Sequence, residues 1–227
     1  MSVTPKEEIE RQLSEMEIVG FAKCGRTDSY VRALYERGIV YCNALGSYRR
    51  AELPDGTRDP YEGSACSFMQ CASNAPIFCM TALRKEDILP DGTPIIGSRM
   101  RDEFVGESGA VCVISDPVEF LSRIEDKEGR PVVFSSIWYV GDMFGDPLDA
   151  FNHLPLVPFM KNSRFSYQRE FRIKLPRRCE RIMDERERDL FTGKWKPEIA
   201  DVGPIEDIAR CFPAEGLPPA DRYDLAG

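Results

Sequence analysis

A glutamine and a glutamate two positions apart, Gln168 and Glu170, are the residues of this chain whose types and spacing best suit chemistry. They lie in residues 161–175, where apolar and polar side chains alternate, a pattern typical of a half-buried strand. Because strand side chains repeat every second residue, the amide and the carboxylate are predicted to project from one face. Both side chains could then contact one ligand. The alternative interpretation is that this face of the strand is simply exposed to water.

The chain lacks the signatures of the common enzyme classes. It has a single histidine, His153, with no nucleophile motif beside it, which leaves few ways to build a Ser-His or Cys-His pair. No GxSxG, GxxxxGK, GxGxxG or HExxH pattern occurs, and each of these would mark a known catalytic or nucleotide-binding arrangement. We interpret His153 as structural and keep Glu170 as the candidate for a fixed catalytic carboxylate.

Length, charge and cysteine usage narrow the classes of protein. A chain of 227 residues is long enough to bury the core of one domain without disulfide bonds or a structural metal. Its net charge of −8 disfavours a general nucleic-acid surface and leaves room for a local basic cleft. The eight cysteines form no C-x-x-C pair, so we predict reduced thiols in a reducing compartment and no metal site. The acidic start of the chain and the lack of a long apolar run predict a cytoplasmic protein without a membrane segment.

The order of elements predicts an α+β fold. We expect a charged N-terminal helix over residues 1–16, a single α+β domain over 17–212, and a loose Pro/Gly-rich tail over 213–227. At least five strands with few helices between the later ones favour a mixed or antiparallel sheet over a regular βαβ array. The domain opens as strand, helix, strand. The predicted strands are 17–24, 39–45, 75–83, 109–115 and 132–140, and the predicted helices are 27–36 and 116–124.

A long polar loop follows the second predicted strand. Residues 46–63 are rich in turn formers and charges, and loops of this length are often binding loops. Arg58, Asp59 and Glu62 are therefore candidate substrate-loop residues, with ordinary turn chemistry as the alternative.

A glutamate two residues after an amide or acid, with a basic residue on the first strand and a hydroxyl on a middle strand, resembles the ADP-ribosyltransferase superfamily. The resemblance implies a split sheet, NAD as substrate, no metal, and a glutamate that stabilises the cationic state as nicotinamide leaves. The first strand region carries Lys23 and Arg26 and no histidine, which fits an arginine-class site. On this resemblance Glu170 and Gln168 are catalytic, and Arg26, Tyr41, Thr81, Lys161 and Arg172 bind NAD.

The motif order over residues 18–210 also resembles poorly characterised bacterial proteins related to abortive phage-infection proteins, and through them DNA-targeting ADP-ribosyltransferase toxins. This resemblance implies a toxin or phage-defence effector that modifies nucleic acid or protein, with an inhibitor or antitoxin protein as a partner. The matching residues are Asp59-Pro60-Tyr61-Glu62, Cys79-Met80-Thr81, Lys161, Tyr167, Gln168, Glu170, Phe171 and Arg172.

Two other functions stay open on the same residues. A magnesium-dependent nuclease would hold the ion with Asp59, Glu62 and Glu170 and place Lys174 nearby. A non-catalytic nucleotide-sensing or antitoxin-like interaction protein would keep the pocket and perform no chemistry.

Overall fold

The computed structural model describes residues 5–49, 75–141, 154–176 and 197–218. Within these ranges the protein is α+β, with a mostly antiparallel sheet and few helices, which confirms the predicted class. The helices are α1 (Pro5–Glu15), α2 (Asp28–Arg37), α3 (Ser98–Phe104) and α4 (Pro117–Glu128). The strands are β1 (Gly20–Gly25), β2 (Ile39–Ala44), β3 (Pro76–Leu83), β4 (Ala110–Ile114), β5 (Val133–Ser136), β6 (Trp138–Val140), β7 (Met160–Asn162), β8 (Glu170–Lys174), β9 (Glu198–Asp201) and β10 (Ala209–Pro213).

The strand-helix-strand opening is confirmed as β1, α2 and β2, and the apolar runs at 75–83 and 109–115 form β3 and β4. The run at 132–140 is not one strand. It divides at Ile137 into β5, which pairs with β8, and β6, which pairs with β7 in a separate two-stranded sheet. The last contact of β5 with β8 is the hydrogen bond from Ile137 N to the carbonyl of Glu170 at 2.9 Å, because Glu170 is the first residue of β8, and Trp138 then pairs with β7.

Helices α1, α2 and α4 pack on one face of the sheet through narrow apolar stripes, whereas Met100 of α3 packs on the other face with Ala22 and Val111. On α1, Ile9 and Leu13 are buried, while the rest of the helix is strongly charged. At the start of α4 the Asp116 carboxylate accepts a hydrogen bond from Glu119 N at 2.9 Å, which satisfies one of the unpaired amides of the first turn. The cap therefore fixes the first turn of a helix whose Phe120 is fully buried in the core.

The large sheet branches at β3. Along one edge β3 pairs with β8, from Ile77 opposite Lys174 to Thr81 opposite Glu170. Along its other edge it pairs with β1 from Thr81 onwards, but with β2 at Pro76 and Ile77. The strands beyond are β4 and β10 on the β1 branch and β9 on the β2 branch. We call the stretch of β3 around Cys79, where one partner strand gives way to the other, the fork.

Several described elements have no counterpart in the predictions. The seven-residue helix α3 buries only Met100, and β9 alternates weakly within a charged region, so neither carries a clear periodic signal. The first residues of the predicted tail pack against the domain, because Arg101 of α3 donates to the carbonyl of Ala214 at 2.6 Å and Leu217 is buried. None of the described helices is long and apolar enough to cross a membrane.

The glycines that end α2 and α4 form a matched pair for a stability test. Gly38 and Gly129 both have left-handed backbones, with φ of 64° and 68°. A Cβ on Gly38 would lie 1.7 Å from the carbonyl oxygen of Gly203, whereas a Cβ on Gly129 would meet nothing within 4 Å. We expect Gly129→Ala to lower the free energy of unfolding by about 1 kcal/mol and Gly38→Ala by about 3 kcal/mol or more. Urea denaturation measures both, and equal losses would contradict the close approach of Gly203.

Candidate functional site

A pocket of about 200 Å³ opens at the fork, and we call it the fork pocket. Its floor is one face of three strands, since Ala22 of β1 lies opposite Thr81 of β3, and Thr81 lies opposite Glu170 of β8. Directly opposed residues of an antiparallel pair share a face, so the register brings these side chains together. The remaining described lining residues are Lys23, Cys24, Tyr48, Cys79, Met80, Met100, Phe104, Lys161, Gln168 and Arg172.

The predicted continuous strand over 161–175 is wrong. The chain leaves β7 at Asn162, forms a 3-10 helix over Ser163–Gln168 and enters β8 only at Glu170. The Asn162 side chain starts this turn by accepting from Arg164 N at 3.0 Å. Arg169 ends the turn with a φ of 44°, and its guanidinium donates to both carboxylate oxygens of buried Asp87 at 2.6 and 2.5 Å. Gln168 and Glu170 therefore do not become neighbours through strand alternation.

Lys161 brings Gln168 and Glu170 together instead. Its Nζ donates to Gln168 Oε1 at 2.8 Å and to Glu170 Oε2 at 2.7 Å. The other carboxylate oxygen, Glu170 Oε1, accepts from Arg172 Nε at 2.6 Å. Each oxygen of the carboxylate thus has a cationic donor.

These polar side chains are buried, so the water-exposed interpretation of this face is wrong. Gln168, Glu170 and Arg172 are 5, 6 and 1% exposed, and Lys161 is 7% exposed. Other side chains of the site, and not water, meet this face, since Lys161 of β7 bonds one oxygen of Glu170 and Arg172 bonds the other. A buried carboxylate in such a place requires cationic or hydrogen-bonding partners.

The local charges keep Glu170 ionised. Burial raises the pKa of its carboxyl, but the positive charges of Arg172 and Lys161 outweigh burial and hold the pKa well below its ordinary value of 4.5. The thiol of Cys79 also donates a hydrogen bond to this carboxylate. Burial, with the Glu170 charge added, raises the pKa of Cys79 to about 12, so the thiol stays protonated at neutral pH.

This depressed pKa predicts a dependence of stability on pH. The carboxylate contributes stability above pH 4.5, and that contribution is lost as the pH falls towards the lower folded-state value. We expect the free energy of unfolding to carry an added slope of up to about 1.4 kcal/mol per pH unit from Glu170. Urea denaturation of the wild type and of Glu170→Gln between about pH 5 and pH 3 measures it. The gap between the two proteins should narrow as the pH falls, and a constant gap would contradict the depressed pKa.

A second set of contacts orients the Gln168 amide from α3. Gln168 Nε2 donates to the hydroxyl of Tyr167 at 3.1 Å, and that hydroxyl donates to the carboxylate of Glu103. The guanidinium of Arg99 lies 3.8 Å from the centre of the Tyr167 ring. Burial, together with the hydrogen bond to Glu103, raises the pKa of Tyr167 to about 12. The amide is therefore held at both ends, by Lys161 and by Tyr167.

Lys23 is a cation of the fork pocket that the sequence predictions did not assign to the site. Its Nζ donates at 2.6 Å to the backbone carbonyl of Cys79, the residue at the fork, and lies 4.6 Å from the centre of the Phe78 ring. It therefore supplies a donor where β3 changes partner strand. A lysine within the otherwise uncharged strand GFAKCG is the local signal that could have identified it.

The other predicted site residues fall in different places. Thr81 lines the fork pocket. Arg26 does not line it, because its guanidinium turns to the carbonyl of Glu103 at 2.8 Å. Tyr41 lies on β2 opposite Ile199 of β9 and also does not line the pocket. The loop candidates Arg58, Asp59 and Glu62, together with His153, lie outside the described residues.

The charge balance of the pocket decides which ligands it suits. Among the described lining residues there are three cations, Lys23, Lys161 and Arg172, and one carboxylate, Glu170. This balance is unfavourable for Mg²⁺, which prefers several carboxylates, and the described ranges contain no group of three or more potential metal ligands. The same balance attracts a ligand that carries negative charge.

The arrangement offers a fixed anion and fixed cations within one partly enclosed space, suited to a ligand with both a developing positive centre and anionic groups. No protein-family model, no curated protein and no solved structure matches this chain.

Proposed function

We propose that this protein is an ADP-ribosyltransferase-like enzyme that takes NAD as its substrate at the fork pocket. The observation that carries the proposal is a carboxylate, Glu170, held ionised within the pocket by Lys161 and Arg172. When the bond between ribose and nicotinamide breaks, positive charge develops on the ribose. A preorganised carboxylate stabilises such charge most strongly where water is excluded.

The surrounding residues have distinct roles in this proposal. Gln168 presents its amide beside Glu170 and is positioned by Lys161 and Tyr167. Arg172 holds the carboxylate in place, and its Nη1 is itself anchored on the carbonyl of Pro158 at 2.7 Å. Thr81 places a hydroxyl on the strand directly opposite Glu170. These contacts support a site whose reacting groups are fixed before the substrate arrives.

The size of the pocket limits which part of NAD it accepts. A volume of about 200 Å³ is smaller than the roughly 300–1,000 Å³ of pockets that enclose drug-sized ligands. We therefore assign the fork pocket to the nicotinamide-ribose end of the molecule, with Tyr48 and Phe104 as its aromatic walls. The motif resemblance supports nucleic acid or protein as the acceptor and a role as a toxin or phage-defence effector.

A nucleotide-binding protein without chemistry is the second candidate. It is favoured by one observation, the full engagement of the carboxylate, whose two oxygens already accept from Lys161 and Arg172 at 2.7 and 2.6 Å. A ribose hydroxyl would have to share these oxygens with two cations. If this protein is instead a sensor or an antitoxin-like interaction protein, its bound nucleotide does not have to contact the carboxylate oxygens of Glu170.

Calorimetry combined with a nicotinamide assay distinguishes these functions. The full-length protein is titrated with NAD and with Mg²⁺ separately, and nicotinamide released from NAD is measured by chromatography. Heat with NAD accompanied by nicotinamide release is the expected result for the transferase. Heat with NAD and no release favours the sensor, heat with Mg²⁺ alone favours the nuclease, and no response to NAD overturns both NAD-based functions.

A further inference from the structure

Two cysteines on the β1 branch of the sheet face each other across neighbouring strands. Cys112 of β4 is the register partner of Cys211 of β10. All five cysteines in the described ranges, these two included, are free thiols. The pair lies away from Glu170, which is on β8, so it is independent of the proposed NAD chemistry.

The ladder around the pair shows which kind of cross-strand pair it is. Ser115 N donates to Ile208 O at 2.9 Å, and Ala214 N donates to Gly109 O at 3.0 Å. These bonds place the hydrogen-bonded pairs at the odd-numbered positions of β4, so Cys112 and Cys211 form a non-hydrogen-bonded pair. In such pairs the Cα atoms are about 4.5 Å apart and the side chains are closest, and disulfides span Cα distances of roughly 4.4–6.8 Å.

The two thiols differ in environment. Cys112 is fully buried, whereas Cys211 is partly exposed and lines a surface pocket of about 270 Å³. A hydrogen bond joins the two sulfur atoms. It lowers the pKa of Cys211 against the opposing effect of burial, and it raises the pKa of Cys112. The thiol that forms its thiolate more readily is therefore also the one that solvent reaches.

We propose that Cys112 and Cys211 form a reversible cross-strand disulfide when the protein meets a peroxide. The Cys211 thiolate attacks one peroxide oxygen, the O–O bond breaks, and hydroxide leaves, which gives a sulfenic acid on Cys211. The Cys112 sulfur then attacks that sulfur, the S–O bond breaks, and water leaves with the thiol proton. Two thiols are oxidised by two electrons in total, and one hydrogen peroxide is reduced to two molecules of water.

Peptide mapping after peroxide treatment tests this proposal. The full-length protein is exposed to a small excess of hydrogen peroxide, its remaining thiols are alkylated, and the peptides are analysed by mass spectrometry without reduction. The expected result is a peptide that joins Cys112 to Cys211 with the loss of two hydrogen atoms, and its disappearance after dithiothreitol. A first disulfide that involves any other cysteine, or oxidation of Cys211 to sulfinic acid with no link, would overturn the proposal.

A thermal measurement supplies a second readout. The bond would join positions about 100 residues apart, so we expect oxidation to raise the unfolding midpoint by about 5–10 °C. Cys211→Ser should abolish this shift, and Cys42→Ser, at a buried cysteine of β2, should retain it. A shift that persists in Cys211→Ser would contradict a bond at this pair.

Discussion

Release of nicotinamide from NAD is expected to fall by about 10²–10³-fold when Glu170 is replaced by glutamine. The amide keeps the shape of the side chain and an oxygen acceptor, but it removes the negative charge that the proposed mechanism places beside the ribose. The loss should appear in kcat with little change in NAD affinity, because charge on the ribose develops only in the transition state. Chromatographic measurement of nicotinamide over a range of NAD concentrations separates the two parameters.

A loss of folding must be distinguished from this loss of chemistry. Glu170→Gln leaves Lys161 and Arg172 buried without their counter-charge, a situation that costs stability. The double variant Lys161→Met/Glu170→Gln also removes one of the two buried cations, so that less uncompensated positive charge remains. We expect this variant to fold and to remain inactive. Glu198→Gln on β9, at the far end of the β2 branch, is the matched control and should keep full activity. Wild-type release rates in a folded Glu170 variant would contradict the proposed function.

Replacing Arg172 by methionine is expected to lower the free energy of unfolding by about 3–5 kcal/mol. The guanidinium is 1% exposed, bonds the Glu170 carboxylate at 2.6 Å and bonds the Pro158 carbonyl at 2.7 Å. Methionine fills similar volume but donates no hydrogen bond, so a buried carboxylate loses its nearest cation and a buried carbonyl loses its donor. Urea denaturation at neutral pH, where Glu170 is ionised, measures this change.

Lys174→Met provides the comparison for this variant. Lys174 lies on the same strand and the same face two residues later, but it is only partly buried. We expect its replacement to change the free energy of unfolding by no more than about 0.5 kcal/mol. Similar losses in the two variants would mean that the buried contacts of Arg172 do not stabilise the fold.

The fold was most predictable from sequence where strands are buried on both faces. β3 and β4 follow from uninterrupted apolar runs bounded by turn residues, which is the local signature of a central strand. α4 follows from Asp116 and Pro117, whose capping roles depend only on residues within the same turn. α3 and β9 escaped prediction because each buries a single side chain, which leaves almost no periodic pattern.

The segment 161–175 shows how residues that lie together in one pocket can be selected through a wrong local structure. Its alternation predicted a continuous strand, yet Asn162 starts a turn by accepting a hydrogen bond, and Arg169 ends it in a left-handed conformation. That conformation accompanies an ion pair with Asp87, which is distant in sequence. The sequence of residues 161–168 does not indicate this contact, so the prediction depended on the alternating pattern alone.

By itself, the sequence determined the α+β class, the order of the opening elements and the choice of Glu170 as the carboxylate of interest, because these depend on patterns within short stretches. Only the tertiary structure decided that Lys161 and Arg172 clamp this carboxylate, that Lys23 occupies the pocket in place of Arg26, and that Cys112 faces Cys211. The contact of Lys161 with Glu170 depends on the turn over Ser163–Gln168, whereas the places of Lys23 and of the Cys112–Cys211 pair depend on the register between strands far apart in the chain. A slip of one residue in that register would turn every side chain to the opposite face, and no local pattern records the register.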